Sequence, residues 1–347
     1  MQKNITIIDS TLRDGSHAIA HQFTRDLIES YAQKAEEAHI PILVVGHGNG
    51  LGASSVHLGT SLLSDRDMFD AAKKNLHTTT LAGFLIPGFG TIRTDLAPAI
   101  ESGIRTLMVA CHASEATVTK QHIQYAKSKH IQTFGVLMMS HMIDEKRLLE
   151  QAKHMESYGA DGVLLMDSAG AYIMDDVKLK ISTLVSALSI PVGFHAHNNL
   201  GLAVANSLVA VEQGATIIDG TSRGLGAGAG NCPLEILVAI LHKKQYETHV
   251  QLYPLMDGGE MIATTVDRLP TGNMVTLASG LAGVFSGFAP HVIAAAKTYH
   301  VDVRDILAEL GRRQIVAGQE DMIIEVAKML GSLKRNKPKD FQLESLT

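Results

Sequence analysis

Cysteine is nearly absent from this chain of 347 residues: Cys111 and Cys232 are the only two, and they form no CxxC spacing. That excludes a disulfide framework and a thiolate zinc site. Long apolar runs are missing too. Stretches such as Val163–Met166 fall far short of the roughly 18 residues that a membrane span requires. Charge of one sign never accumulates, since 30 Lys and Arg stand against 35 Asp and Glu for a net charge of −5, with no basic block. A nucleic-acid binder or a polybasic membrane module is therefore not expected. The opening Met1-Gln2-Lys3-Asn4 leads straight into a strand-like segment without a signal-peptide core, and a cytoplasmic location is expected. No low-complexity tract interrupts the chain. Hydrophobic residues make up 46% of it, enough to build one large domain of roughly 250 residues plus an appendage.

What is present is an alternation. Short Val/Ile/Leu-rich runs lie near Ile5–Asp9, Ile42–Val45, Thr80–Ile86, Thr106–Ala110, Thr133–Met138, Gly162–Met166, Val192–His195 and Thr216–Asp219. Between them fall segments of helical period such as Thr24–His39, Ser114–His130, Asp144–Tyr158, Asp175–Leu188 and Leu200–Gln213. Thr24, Ser114, Asp144 and Asp175 are the expected N-caps. Eight βα units predict a (β/α)₈ TIM barrel rather than an open doubly wound sheet. After Tyr253 the alternation stops, and Val275–Tyr299, Arg304–Arg313 and Gln319–Leu330 read as helices. The expected organisation is a catalytic barrel over residues 1–253, a helical C-terminal region over 254–333 and a polar tail over 334–347.

Histidine is plentiful, at 17 residues, and barrel active sites lie at the C-terminal ends of the strands. The first strand ends in Asp9-Ser10-Thr11-Leu12-Arg13-Asp14-Gly15-Ser16-His17, and the seventh in His195-Ala196-His197-Asn198-Asn199. Residues i and i+2 of a strand share a face, so His195 and His197 can converge on one metal ion, with Asp14 as an anionic third ligand. A His₂Asp set leaves coordination positions open for substrate and does not choose sharply between zinc and octahedral Mn²⁺, Co²⁺ or Mg²⁺. Arg13 is suited to stabilise a developing oxyanion, or else pairs with a carboxylate such as Asp9. His17 is a candidate proton acceptor, or a plain surface histidine. Ser168, after the sixth strand, is placed to hold a substrate carboxylate or to cap the following turn. The glycine-rich run Gly224–Gly230 reads as a close-packed turn, because it follows the last strand and does not open a βαβ unit.

The pair of motifs Thr11-Leu12-Arg13-Asp14-Gly15 and His195-Ala196-His197-Asn198-Asn199 resembles the metal-dependent lyase and synthase barrels, among them isopropylmalate synthase and hydroxymethylglutaryl-CoA lyase. Leu12–His21, Gly46–Ser55, Asp167–Ala171, His195–Ser207, Gly224–Leu237 and Gly318–Ile323 narrow the resemblance to the 4-hydroxy-2-oxovalerate aldolases, over nearly the whole chain. This resemblance implies a carbon–carbon lyase that reversibly cleaves 4-hydroxy-2-oxopentanoate to pyruvate and acetaldehyde through a metal-bound pyruvate enolate, usually with Mn²⁺, in the setting of aromatic hydrocarbon catabolism. It implies Asp14, His195 and His197 as metal ligands, Arg13 as enolate stabiliser and His17 as the base at the 4-hydroxyl. Ser168 would bind the pyruvate carboxylate, and Leu85 and Ile86 would line the aldehyde side. An acylating acetaldehyde dehydrogenase is the implied partner of the C-terminal helices, in a heterotetramer built on a homodimer, with NAD and CoA belonging to that partner. Two departures stand out: Phe285 replaces the family's tyrosine, and Asn49 stands where Asp is usual. The Phe285 change implies a slower or less stereoselective aldolase. Rival readings are a synthase that condenses an acyl-CoA with a 2-oxo acid, and a non-catalytic subunit that docks the dehydrogenase.

Overall fold

In the computed structural model, residues 4–316 and 318–335 are described. Eight strands close into a parallel barrel in sequence order: β1 (Thr6–Asp9), β2 (Ile42–Val44), β3 (Thr80–Leu85), β4 (Thr106–His112), β5 (Gln132–Met138), β6 (Gly162–Asp167), β7 (Val192–Ala196) and β8 (Ile217–Gly220). This is the TIM barrel expected from the alternation, with each strand within a few residues of its predicted span. Strand side chains divide by the period of two. Ile8, Val44, Phe84, Met108, Val136, Leu164 and Ile217 fill the barrel interior. Ile7, Leu43, Leu85, Val109, Leu165 and Ile218 face outward against the helices. Leu85 is thereby corrected as a candidate for the aldehyde side, because the pleat turns it into the helix layer, whereas Ile86 and Phe84 pack with the interior.

Two of the expected caps hold: Thr24 Oγ1 accepts from the N–H of Leu27 at 3.3 Å, and Asp144 Oδ1 from that of Arg147 at 2.8 Å. The other two do not. Ser114 is hydrogen-bonded to His112 instead, at 2.7 Å. Asp175 lies inside its helix, where the neighbouring Asp176 accepts from the N–H of Ile173. Beyond β8, the helix Leu252–Thr265 puts Leu255 and Ile262, and the following Val266, into the barrel's own apolar core. By packing it belongs with the barrel, so the second core starts later than residue 254. That core gathers Val284, Phe288, Val292, Ile306, Leu310, Ile323 and Val326.

The continuous helix expected over Val275–Tyr299 is two helices, Met274–Ala282 and Ala289–Tyr299. Gly283, at φ 65°, stops the first in the left-handed conformation that glycine tolerates, and Pro290 opens the second. The break, Gly283–Phe288, folds back onto the barrel mouth. Helices Val303–Arg312 and Asp321–Arg335 complete the region, and residues 336–347 of the expected tail lie outside the described residues. Among the described residues no helix is long and apolar enough to cross a membrane.

Candidate active site

Asp14, His195 and His197 come together at the C-terminal mouth of the barrel. All three are buried, and one ligand atom from each lies within 4.8 Å of the others. The extended backbone at the end of β7 and just past it brings both imidazoles together, with ring centroids 5.0 Å apart. Their outer nitrogens are occupied. His195 Nδ1 is 2.8 Å from Asp219 Oδ2, and His197 Nδ1 is 3.0 Å from the carbonyl of Asp167. Both partners are acceptors, so each Nδ1 carries the proton and each Nε2 presents a lone pair inward. His195 Nε2 is buried with no hydrogen-bond partner, and His197 Nε2 lies 3.9 Å from Asp14 Oδ1. A buried, unpartnered imidazole lone pair beside a carboxylate is a donor set that fits a divalent cation.

Asp14 is surrounded by donors. Arg13 Nη1 donates to Oδ2 at 2.6 Å, and Oδ1 accepts from Asn231 Nδ2 at 2.9 Å. Burial disfavours its charge, yet the Arg13 guanidinium and then His197 outweigh this and hold the carboxyl well below the usual carboxylate range. The glycine-rich turn after β8 is close-packed because it wraps Asp14. A Cβ at Gly226 would sit 2.7 Å from Asp14 Oδ1 and closer still to Asn231 Nδ2.

Arg13 pairs with Asp14 and lies near Asp219 (3.9 Å), while Asp9 is engaged elsewhere, by Thr11 and the hydroxyl of Tyr31. The guanidinium carbon rests 4.3 Å from the centre of the Phe84 ring, and Nη1 also reaches the Gly48 carbonyl at 3.3 Å. His17 is half-buried and hydrogen-bonded to the Gly48 backbone; burial lowers its pKa from the ordinary imidazole value, with Asp14 working the other way. Ser168 Oγ accepts from the N–H of Met139 at 2.9 Å, so it tethers the turn after β5 rather than capping its own, and its hydroxyl proton stays free to donate. The Gly283–Phe288 break reaches this site through Ser286, whose Oγ accepts from Asn199 Nδ2 at 3.0 Å. Phe285 itself packs edge-on against Phe288 in the C-terminal core. A cavity of about 560 Å³ opens between barrel and C-terminal helices, lined by His17, Gly226, Ala227, Arg268, Ser286 and Gly287 among others.

Several contributors carry no signal for their roles in the sequence. Asp219 and Ser286 lie outside the motifs, while Gly48, Asn199 and Asn231 lie within them with no role that the motif assigns. Only the register, which sets Asp219 directly beside His195 on adjacent strands, identifies the first of them.

Comparison with known proteins agrees with this architecture. Residues 4–262 match the HMGL-like family and residues 270–332 the DmpG-like communication domain. The chain is 52% identical to a 4-hydroxy-2-oxovalerate aldolase of Pectobacterium atrosepticum, over 97% of this chain and 98% of that one. It is 50% identical to 4-hydroxy-2-oxovalerate aldolase 2 of Salinispora arenicola, over 96% of each. Among solved structures, the carboxyl transferase domain of Rhizobium etli pyruvate carboxylase with pyruvate superposes with a TM-score of 0.80 over 96% of this chain and 62% of that one, at 16% identity, which speaks for the fold alone. The chain belongs to the 4-hydroxy-2-oxovalerate aldolase family, carbon–carbon lyases built on an HMGL-like barrel.

Proposed function

We propose that this protein reversibly cleaves 4-hydroxy-2-oxopentanoate into pyruvate and acetaldehyde, using a divalent cation held by Asp14, His195 and His197. The observation that carries this reading is the pair of inward Nε2 lone pairs, each fixed by an acceptor on Nδ1, facing the Asp14 carboxylate in an aldolase-family barrel. When bound, the cation supplies positive charge for the substrate's carboxylate and 2-oxo oxygens. Mn²⁺ is the proposed ion, with Co²⁺ or Mg²⁺ as substitutes.

The chain's own groups perform the rest. The Arg13 fork, immobilised by Asp14, Gly48 and the Phe84 face, stabilises the negative charge that collects on the 2-oxo oxygen as the C3–C4 bond breaks. His17 takes the proton from the 4-hydroxyl in cleavage and returns it in the aldol direction. Ser168 donates its hydroxyl hydrogen to the pyruvate carboxylate.

We extend the reading to the partner. Met274, Leu277 and Leu281 form an exposed apolar stripe along the first C-terminal helix, in the segment that matches the communication domain. This surface supports docking of an acylating acetaldehyde dehydrogenase, within a heterotetramer built on a homodimer. In that arrangement the barrel includes the helix Leu252–Thr265, and the docking region starts near residue 270. Two buried, unpaired cysteine thiols accord with the expected cytoplasmic setting.

Pyruvate release from racemic 4-hydroxy-2-oxopentanoate, by protein stripped of metal and then supplied with Mn²⁺, tests the activity. Pyruvate that appears only with the ion is expected. No pyruvate with any divalent cation sinks the reading.

A further inference from the structure

Two buried histidines beside the reacting groups, His21 and His47, have no part in the steps above. Their rings stack with centroids 3.7 Å apart, and His21 meets the His17 ring edge-on at 4.9 Å. Backbone donors fix their tautomers. His21 Nδ1 faces the Ser16 hydroxyl at 2.9 Å and the N–H of Gly48 at 3.4 Å, and the N–H of Asn49 points at His47 Nδ1 (3.0 Å). Both Nδ1 atoms therefore carry lone pairs, and both protons sit on Nε2. His47 Nε2 donates to the Gly59 carbonyl at 3.0 Å, tying the pair to the far side of the same loop. Burial favours the neutral rings, lowering the pKa to about 3 in His21 and about 4 in His47.

What the pair grips is Gly48. The Asn49 N–H and the Gly48 carbonyl belong to one planar trans peptide group, so they point in opposite directions. Holding the N–H against His47 aims the carbonyl the other way, where it receives Arg13 Nη1. The Gly48 backbone also takes a hydrogen bond from His17. His21 secures the preceding peptide through the Gly48 N–H. The Gly48 backbone lies directly against the His17 ring: a Cβ there would overlap Nε2 and its neighbours and push the ring out of place.

We propose that His47 is a positioning residue: by holding the Gly48–Asn49 peptide it orients the His17 ring for proton transfer at the substrate's 4-hydroxyl. The inference rests on the reading of His17 as the base. Side chains that accept at the Nδ1 position can replace it, since the Oδ1 of Asn forms the same bond to the N–H two residues on.

The test is the Mn²⁺-loaded full chain cleaving 4-hydroxy-2-oxopentanoate, in His47→Leu, His47→Asn, His17→Asn and the double variant H17N/H47L. His47→Leu is expected to lower kcat about 10- to 100-fold with KM changed by less than about threefold, as a misaligned reacting group does. His47→Asn restores most of the lost rate, and H47L costs less in the H17N background, where only the Gly48–Arg13 contact is left to disturb. Equal losses in His47→Leu and His47→Asn, or an H47L effect as large without His17 as with it, overturn the proposal in favour of a structural role. So does full activity in His47→Leu. A fully active His17→Asn removes the reading of His17 itself, a result distinct from any of these.

Discussion

Asp219 Oδ2 lies 2.8 Å from His195 Nδ1, in a pair with no solvent exposure on either side chain. The two residues face each other across adjacent strands of the barrel. An acceptor there keeps the proton on Nδ1 and leaves Nε2 as a ligand atom, which is the usual service of a carboxylate behind a metal-bound histidine. Replacing Asp219 with Asn removes the negative charge and offers the ring a donor as well as an acceptor. Mn²⁺ affinity is expected to fall about 10- to 100-fold, with activity partly restored by excess metal. Equilibrium dialysis with metal analysis measures it, and unchanged affinity would contradict the assignment of His195 as a ligand.

Arg13 makes its contacts as a planar fork: to the Asp14 carboxylate, to the Gly48 carbonyl and over the Phe84 ring. A lysine keeps the charge and loses the geometry. Arg13→Lys is expected to reduce kcat about 100- to 1000-fold, the range for removing one donor to a developing oxyanion. Steady-state kinetics on the cleavage reaction decide it, with bound-metal content as the control that the ligand set survives.

Phe285 packs against Phe288, one residue before Ser286, which does touch the site, and the family resemblance implies a tyrosine at this position. Phe285→Tyr is expected to sharpen selection between the enantiomers of the 4-hydroxy acid. Where the added hydroxyl is felt in the transition state, it raises kcat/KM by roughly 5- to 150-fold, the worth of one hydrogen bond to a buried oxygen. Chiral analysis of the substrate left after half conversion of a racemate reads the first effect. Consumption of one enantiomer alone by the unaltered protein would show that Phe285 does not relax selectivity.

Glu36, near the end of the first helix, anchors the approach to β3: its carboxylate accepts from the backbone of His77, Thr78 and Thr79 and from the Thr78 hydroxyl. Burial opposes its charge, but these bonds, led by that from Thr79, prevail and lower the pKa from 4.5 to about 2. A depressed carboxylate stabilises the fold above its unfolded value of 4.5, and that contribution disappears as pH falls through the folded value. Partial solvent screening leaves about 1–2 kcal/mol. Glu36→Gln should therefore melt lower than the parent protein at pH 7 and converge with it near pH 2. Melting temperatures measured across that range test this, and parallel curves would refute it.

How much of this molecule is written locally follows from which interactions are local. The strand spans were legible because the period of two and the spacing of βα units act within one segment. The convergence of His195 and His197 is legible because they stand two residues apart at the end of one strand. Arg13, Asp14 and His17 followed from their place at the end of the first. Leu85 went astray by a single residue, since the pleat reverses the face at every step and an apolar run buried on both sides does not say which is the interior. Val275–Tyr299 reads as one helix because its composition is helical throughout, yet the left-handed turn at Gly283 breaks it and brings Ser286 to the barrel mouth.

The sequence by itself determined the barrel and the inventory of reactive groups, because both rest on contacts between near neighbours in the chain. Tertiary structure alone decided what holds those groups in place. Closure of β8 onto β1 brings Asn231 to Asp14, and the β7–β8 register sets Asp219 behind His195. The stacked pair grips Gly48 only because the loops after β1 and β2 interlock. These partners lie far apart along the chain and meet through the ring's closure, a global constraint that no local pattern records.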